Sequence, residues 1–190
     1  METHLTGRRV TPSILATVPS ALGWIALVGT GRILRQLTFG HASPKAAIRA
    51  LDPQLLENAR PGAWNRSLVR RLHAYGCGTA VDFRDVRVDL RRLTEFQRRV
   101  VHHCRRIPYG KTLTYGQLAA KAGFPRAARA VGNCMAANRV PLIIPCHRVV
   151  RSDGHAGPFS APGGTRMKQR LLAIEARQLP PPSGSLPRND

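Results

Sequence analysis

Two short patterns constrain this chain more than anything else in it. Thr94-Glu95-Phe96-Gln97 and Thr114-Tyr115-Gly116-Gln117 each place a threonine three residues before a glutamine. In that spacing the threonine hydroxyl and the glutamine amide satisfy each other's unpaired backbone N–H groups, so each pattern fixes a helix start. The first helix carries Phe96, Val100, Val101 and Cys104 on one face and is ended by Ile107-Pro108-Tyr109-Gly110. The second is short, because Gly123 stops it. Pro125 marks the start of a third helix running to about Ala137. Two short helices joined by a tight glycine-containing turn are the signature of a helix-turn-helix. On the third helix Ala127, Ala130, Val131 and Cys134 share a core-facing side. Arg126, Arg129 and Asn133 lie elsewhere, among Ala128, Gly132 and Ala136. Small residues with one protruding arginine permit close approach to a nucleic acid groove; an ordinary solvated helix face is the plain alternative.

Downstream comes Ile144-Pro145-Cys146-His147-Arg148-Val149. A thiol is a strong nucleophile only as its thiolate, and a basic or cationic neighbour lowers its pKa. This strip supplies an attacking sulfur, a proton acceptor and a cation together. The plain reading is that Cys146, flanked by Ile143, Ile144, Val149 and Val150, is a small buried hydrophobe.

The formal net charge of +20 points to a polyanion, most simply nucleic acid. The cations are mostly arginine, as a compositional bias would also give, so charge alone is modest support. The 22–28 run is too short for a membrane span and is broken by Gly23. No long apolar stretch follows Arg8 and Arg9, which argues against a secretory signal and for a cytoplasmic protein. Cys77, Cys104, Cys134 and Cys146 form no CxxC pair, as expected of free thiols in a reducing compartment. Zinc at His102, His103 and Cys104 is disfavoured, since consecutive helical residues diverge. No metal or cofactor is expected.

The first half reads as a small α/β unit. Residues 14–18, 24–28 and 33–39 are strands, with Gly29-Thr30-Gly31 as a hairpin turn. Residues 43–51 form a helix capped by Ser43 with Pro44 at its first position, and 64–75 another. Residues 79–88 are ambiguous, with an extended strand the reading taken. After the bent apolar connection 138–150 and a glycine-rich loop at 154–164, a last helix over 165–176 carries Leu171, Leu172 and Ile174 inward and Glu175 near its end. The expected division is a flexible tail at 1–12, an α/β domain at 13–92, a DNA-binding domain at 93–178 and a disordered tail at 179–190.

Pro145-Cys146-His147-Arg148-Val149, Arg129-Ala130-Val131-Gly132, Asn138 and the 107–110 segment together resemble the O6-alkylguanine-DNA alkyltransferases, the methylated-DNA–protein-cysteine methyltransferase family. The match is ordered from about Leu93 to Glu175 and vaguer before it. The resemblance implies an α/β fold: a ribonuclease-H-like sheet-plus-helix domain, then a winged-helix or helix-turn-helix domain carrying the reactive cysteine. It implies Cys146 as acceptor, His147 as its activator, Glu175 orienting His147, and Asn138 bracing the turn. Adjacent side chains on an extended segment point apart, so a Cys146–His147 link needs a bent backbone or a bridging water. Arg129 would fill the space left by a flipped nucleotide, with Ala128 and Gly132 close to the DNA. Tyr115 would press on the neighbouring phosphate and protonate the departing base. Met135, Pro141, Val149, Phe159 and Ser160 would form the base pocket. Some relatives carry tyrosine where Phe159 stands, and Ala161-Pro162 adds residues at the pocket lip, which bears on bulky alkyl groups. The implied reaction is an irreversible, single-turnover transfer of an alkyl group from O6-alkylguanine, and from O4-alkylthymine, in double-stranded DNA. A monomer without S-adenosylmethionine would suffice. A lesion-binding relative without chemistry, a helix-turn-helix regulator and a thiol hydrolase are the competing readings.

Overall fold

The computed structural model describes residues 11–177. The tails expected at 1–12 and 179–190 lie outside it, except for Thr11 and Pro12, which lead into the first strand. Strands β1 (Ser13–Val18), β2 (Trp24–Thr30) and β3 (Ile33–His41) form an antiparallel meander. A short β4 (Ala59–Pro61) adds to β1 in parallel, giving the order β3-β2-β1-β4. β2 lies inside the sheet and is buried on both faces, hence its unbroken apolar run. Ile25 and Leu27 face the main core, whereas Ala26 and Val28 face Ala47 and Leu51 on the other side.

The turn between β2 and β3 differs from expectation. Gly29 and Thr30 stay in the ladder, opposite Ile14 and Ser13, and the reversal is made at Gly31, with φ +56°, and Arg32. Gly29 is glycine because the Trp64 indole occupies the space its Cβ would need. Trp64 in turn donates from Nε1 to the Gly31 carbonyl at 2.8 Å.

Helix α1 (Pro44–Arg49) starts as expected, with Ser43 accepting from the Ala46 amide. Helix α2 (Pro53–Leu56), capped by Asp52, was not foreseen, nor was β4. Helix α3 (Arg66–Gly76) begins after Trp64, because Asn65 takes a left-handed conformation and caps the Leu68 amide. Residues 79–88 do not form the expected strand. Only Val88 makes an isolated bridge, to Leu34, and four of the other carbonyls are reached by side chains: one Arg105 nitrogen reaches Phe83, Arg84 and Val86, and Arg71 reaches Asp82.

Both capping boxes form, opening α4 (Glu95–Arg105) and α5 (Tyr115–Lys121). Gly123, at φ +87°, ends the turn after α5. Helix α6 (Ala128–Ala136) starts later than Pro125, because Pro125 and Arg126 form a tight turn closed by Ala127 N to Phe124 O at 2.9 Å. Ala130 is exposed rather than core-facing; Val131, Cys134 and Met135 are the buried residues of α6. A two-residue pair, β5 (Leu113–Thr114) with β6 (Val149–Val150), ties the α4–α5 connection to the cysteine strip. Helix α7 (Gly164–Ala176) closes the described chain, burying Lys168, Leu171 and Glu175, with Leu172 and Ile174 only half-buried. The result is the mixed α/β arrangement expected, with one continuous core running from Ala16 to Leu171. No helix of the described residues is long and apolar enough to cross a membrane.

Candidate active site

The strip before Cys146 is sharply bent. Pro141 bridges to Ile144, and Leu142 between them holds φ +72°, a conformation costly for a non-glycine residue. Asn138 secures the bend: its side chain accepts from Val140 N at 3.0 Å and donates to Ile144 O at 2.9 Å. Cys146–Arg148 then form one turn of 3-10 helix. At three residues per turn the Cys146, His147 and Arg148 side chains leave in three directions. Cys146 and His147 therefore share no direct hydrogen bond.

Cys146 lies on the wall of a cavity of about 840 Å³. Its sulfur accepts from Asn138 Nδ2 at 3.0 Å. Burial pushes the thiol up, against the pull of Asn138, the Lys168 charge and the local amides. The resting sulfur is thus a protonated thiol, and a base must take its proton for it to react.

His147 is fully buried on the far side of the strip. Its Nε2 is 2.8 Å from Glu175 Oε1 and 3.2 Å from the Tyr75 hydroxyl. A ring nitrogen facing a carboxylate carries the proton, which leaves Nδ1 as the lone-pair nitrogen. Nδ1 is buried and has no hydrogen-bond partner among the described residues. Burial lowers the His147 pKa, outweighing Glu175, so the ring is a neutral base at pH 7. Glu175 is enclosed by donors. Arg148 Nε and Nη2 reach it at 2.9 Å each, Tyr75 donates to Oε1 at 2.7 Å, and Gly110 N donates to Oε2 at 3.0 Å. Burial alone would raise this carboxyl, but His147 and the permanently charged Arg148 hold it well below its ordinary value. Arg148 also donates to Ile107 O at 2.7 Å, which seats the 107–110 segment against the strip.

The cavity gathers most of the residues singled out in the sequence. Tyr115, Ala128, Arg129, Gly132, Met135, Phe159, Ser160 and Cys146 all line it. Asn138 sits behind the sulfur, with His147 and Glu175 behind the strip. Pro141 and Val149 are not among the residues that line the cavity; Pro141 bridges to Ile144 in the bend, and Val149 is buried and pairs with Leu113. The Val149 carbonyl accepts from Lys168 Nζ at 2.6 Å.

Three residues of the site escaped the sequence reading. Lys168 is buried, lines the cavity and places Nζ 3.4 Å from the Tyr115 hydroxyl. A signal existed, since Lys168, Leu171 and Glu175 share one face at helical spacing. Arg148 was seen only as a cation near the thiol, not as the clamp on Glu175. Tyr75 gave no signal beyond its place behind Leu68 and Leu72 on the buried face of α3.

Residues 95–177 match the family model described as the DNA-binding domain of 6-O-methylguanine DNA methyltransferase. A methylated-DNA–protein-cysteine methyltransferase of Mycolicibacterium paratuberculosis is 38% identical over 170 residues, covering 86% of this chain and 93% of its own. The crystal structure of the Mycobacterium tuberculosis O6-methylguanine methyltransferase aligns with a TM-score of 0.73 at 34% identity, covering 89% of this chain and 96% of that one. The structure of Mycobacterium tuberculosis OGT in complex with DNA aligns with a TM-score of 0.72 at 34% identity, covering 88% and 96%. A cavity-lining cysteine backed by a histidine–glutamate pair and relatives that span nearly the whole chain lead to one conclusion: the chain belongs to the methylated-DNA–protein-cysteine methyltransferase family.

Proposed function

We propose that this chain repairs double-stranded DNA by taking the alkyl group of O6-alkylguanine, or of O4-alkylthymine, onto Cys146 in a single irreversible turnover. The observation that carries the reading is a cysteine sulfur on a cavity wall, backed by a buried imidazole whose Nδ1 has no hydrogen-bond partner among the described residues. His147 Nδ1 takes the thiol proton through a bridging water, and Glu175 stabilises the imidazolium that forms. The sulfur attacks the alkyl carbon, the carbon–O6 bond breaks, and its electron pair stays with the base. The base takes a proton from Tyr115. Burial raises the Tyr115 pKa, so its proton is present at pH 7, and Lys168 stands beside it. The proton gained by His147 and the one lost by Tyr115 balance through solvent. The product is a thioether, which does not leave, so each molecule acts once.

A base inside the duplex cannot present its O6 in line with a buried sulfur, so the nucleotide must leave the stack. Arg129, exposed on α6 at the cavity mouth, fills the gap, while Ala128 and Gly132 let the backbone approach. Met135, Phe159 and Ser160 flank the extruded base. Residues 13–92 serve as the scaffold domain and 93–178 as the DNA-binding alkyltransferase domain. The chain acts as a cytoplasmic monomer, without metal or S-adenosylmethionine.

Incubation with duplex bearing O6-methylguanine tests the reading. The intact mass is expected to rise by about 14 Da, one methylene on sulfur, in stoichiometric amount, with Cys146→Ala inert. Tight binding without a mass change would identify a lesion binder instead, and equal binding to undamaged DNA would identify a regulator.

A further inference from the structure

Tyr75 belongs to α3, 72 residues before His147, and its hydroxyl enters the site from the sheet half of the molecule. It is 1% exposed, with its ring edge-on to Phe83 and Tyr109 at centroid distances of 5.9 and 6.1 Å. Among the described residues no other side chain before α4 hydrogen-bonds to His147, Arg148 or Glu175. Phenylalanine would fill the same space, and a buried hydroxyl is costly unless it is hydrogen-bonded. This hydroxyl makes its contacts at the one carboxylate oxygen that also holds His147.

We propose that Tyr75 is a positioning residue for the alkyl transfer, its hydroxyl locking the Glu175–His147 pair so that Nε2 keeps its proton and Nδ1 stays bare. The inference deepens the proposed function and rests on it where the reaction is concerned. Oε1 receives Tyr75 at 2.7 Å, His147 at 2.8 Å and Arg148 at 2.9 Å, so its orientation is fixed by three donors from two elements, α3 and the 3-10 turn. With Tyr75 removed, Arg148 and the Gly110 amide still hold the carboxylate, but Oε1 loses its shortest donor and the ring loses the oxygen 3.2 Å from Nε2. Burial and then the Glu175 charge push the Tyr75 hydroxyl well above its ordinary value, so it remains a donor throughout the working range. Sheet-half packing would thereby act on the chemistry through one atom, without touching DNA.

The test uses the full chain with Tyr75→Phe, which keeps the ring, and Tyr75→Leu, which does not. The Phe variant is expected to lower the methyl-transfer rate at saturating duplex roughly ten- to a hundredfold, as small misalignments do, with duplex affinity unchanged. A second readout needs no substrate. Nitrogen-15 NMR of His147 is expected to show the Nε2-protonated tautomer in the parent chain. In Tyr75→Phe it is expected to show mixed tautomers and a displaced titration. The charges facing His147 are Glu175, Arg148 and Lys168, and those facing Tyr75 are Glu175, Arg148 and Tyr109; all are kept in both variants. A Phe variant with parental tautomer and titration, and only the Leu variant impaired, would reduce Tyr75 to packing and overturn the inference. If the parent chain transfers no methyl group, the proposed function fails, while the NMR comparison still decides the role of Tyr75.

Discussion

The packing under the sheet and the packing around α7 belong to one apolar cluster, yet they differ in what they bury. Beneath β2 and β3 the enclosed side chains are Ile25, Leu27, Leu34, Leu37 and Phe39, backed by Leu68 and Leu72. The charged or imidazole groups buried among the described residues, His147, Arg148, Lys168 and Glu175, all lie in the other half. Apolar residues of similar volume would commonly serve stability as well or better than a buried ion pair. The half that could be most stable is therefore built from groups whose retention stability does not explain. The sheet supplies cohesion, and the α7 side uses it to keep ionised groups out of water where their fields are strong.

Truncating one member of each core gives the sharpest contrast. Glu175→Ala leaves Arg148 buried without its partner and is expected to destabilise by about 3–5 kcal/mol while abolishing His147 orientation and most of the transfer rate. Leu27→Ala removes only apolar contacts and is expected to destabilise by about 2–5 kcal/mol, with the rate at saturating DNA unchanged in the folded fraction. Urea midpoints and single-turnover rates read both. A Leu27→Ala rate as low as that of Glu175→Ala would erase the distinction. The acid side separates them further. The Glu175 pKa is lower folded than unfolded, so its contribution is full above the unfolded value, about 4.3, and fades as pH falls through it towards the folded one. The stability gap between the parent chain and Glu175→Gln should be wide at about pH 7, roughly halved at about pH 3 and closed only below the folded value of about 2; the deficit of Leu27→Ala should change little.

The sequence exposes these two halves unequally. Capping boxes are local chemistry, so Thr94 and Thr114 marked their helix starts correctly. The β2 run announced a strand for the same local reason. Residues 79–88 differ from the strand expected because Arg71 and Arg105 side chains take four of their carbonyls, and α6 starts late because a turn bond from Ala127 overrides Pro125. Cys146 and His147 are visible because they are neighbours in one motif, whereas Glu175 and the cavity walls are assigned only through the family resemblance. Tyr75 is not visible, since its partner lies 100 residues away and only folding brings them together. Pro141 and Val149, assigned to the pocket by resemblance, stand beside the cavity lining, in the bend and in the β5–β6 pairing.

A smaller effect probes whether sheet cohesion depends on fit as well as on apolarity. At Gly29 a methyl group would overlap the Trp64 indole, so Gly29→Ala must displace a large ring that also holds the β2–β3 turn through its hydrogen bond to Gly31. Overpacking of this kind costs about 1–3 kcal/mol. Chemical denaturation measures it, and an unchanged midpoint would mean that Trp64 has room to move. The transfer rate should stay at the parental value, since Gly29 is remote from the cavity.

The smallest expected effects on stability concern surface charge, and they separate charge in general from charge in place. The chain carries 30 lysines and arginines against 10 acids, so bulk attraction to DNA could come from anywhere on it. Arg84 is exposed and paired with Asp82 within its own loop, away from α6, and solvent screens such pairs. Arg129 is exposed at the cavity mouth, and no salt bridge involves it among the described residues. If DNA contacts are concentrated on the α5–α6 side, Arg84→Ala leaves the unfolding midpoint, the transfer rate and the salt dependence of duplex affinity where they were. Arg129→Ala should slow repair in duplex far more than reaction with the free base, because only the duplex requires extrusion. Any phosphate contact it makes would appear as a loss of about one in the slope of log affinity against log salt. Equal slopes for the two variants would mean that the excess of arginine acts as a diffuse field, and equal losses on duplex and free base would remove Arg129 from the extrusion step.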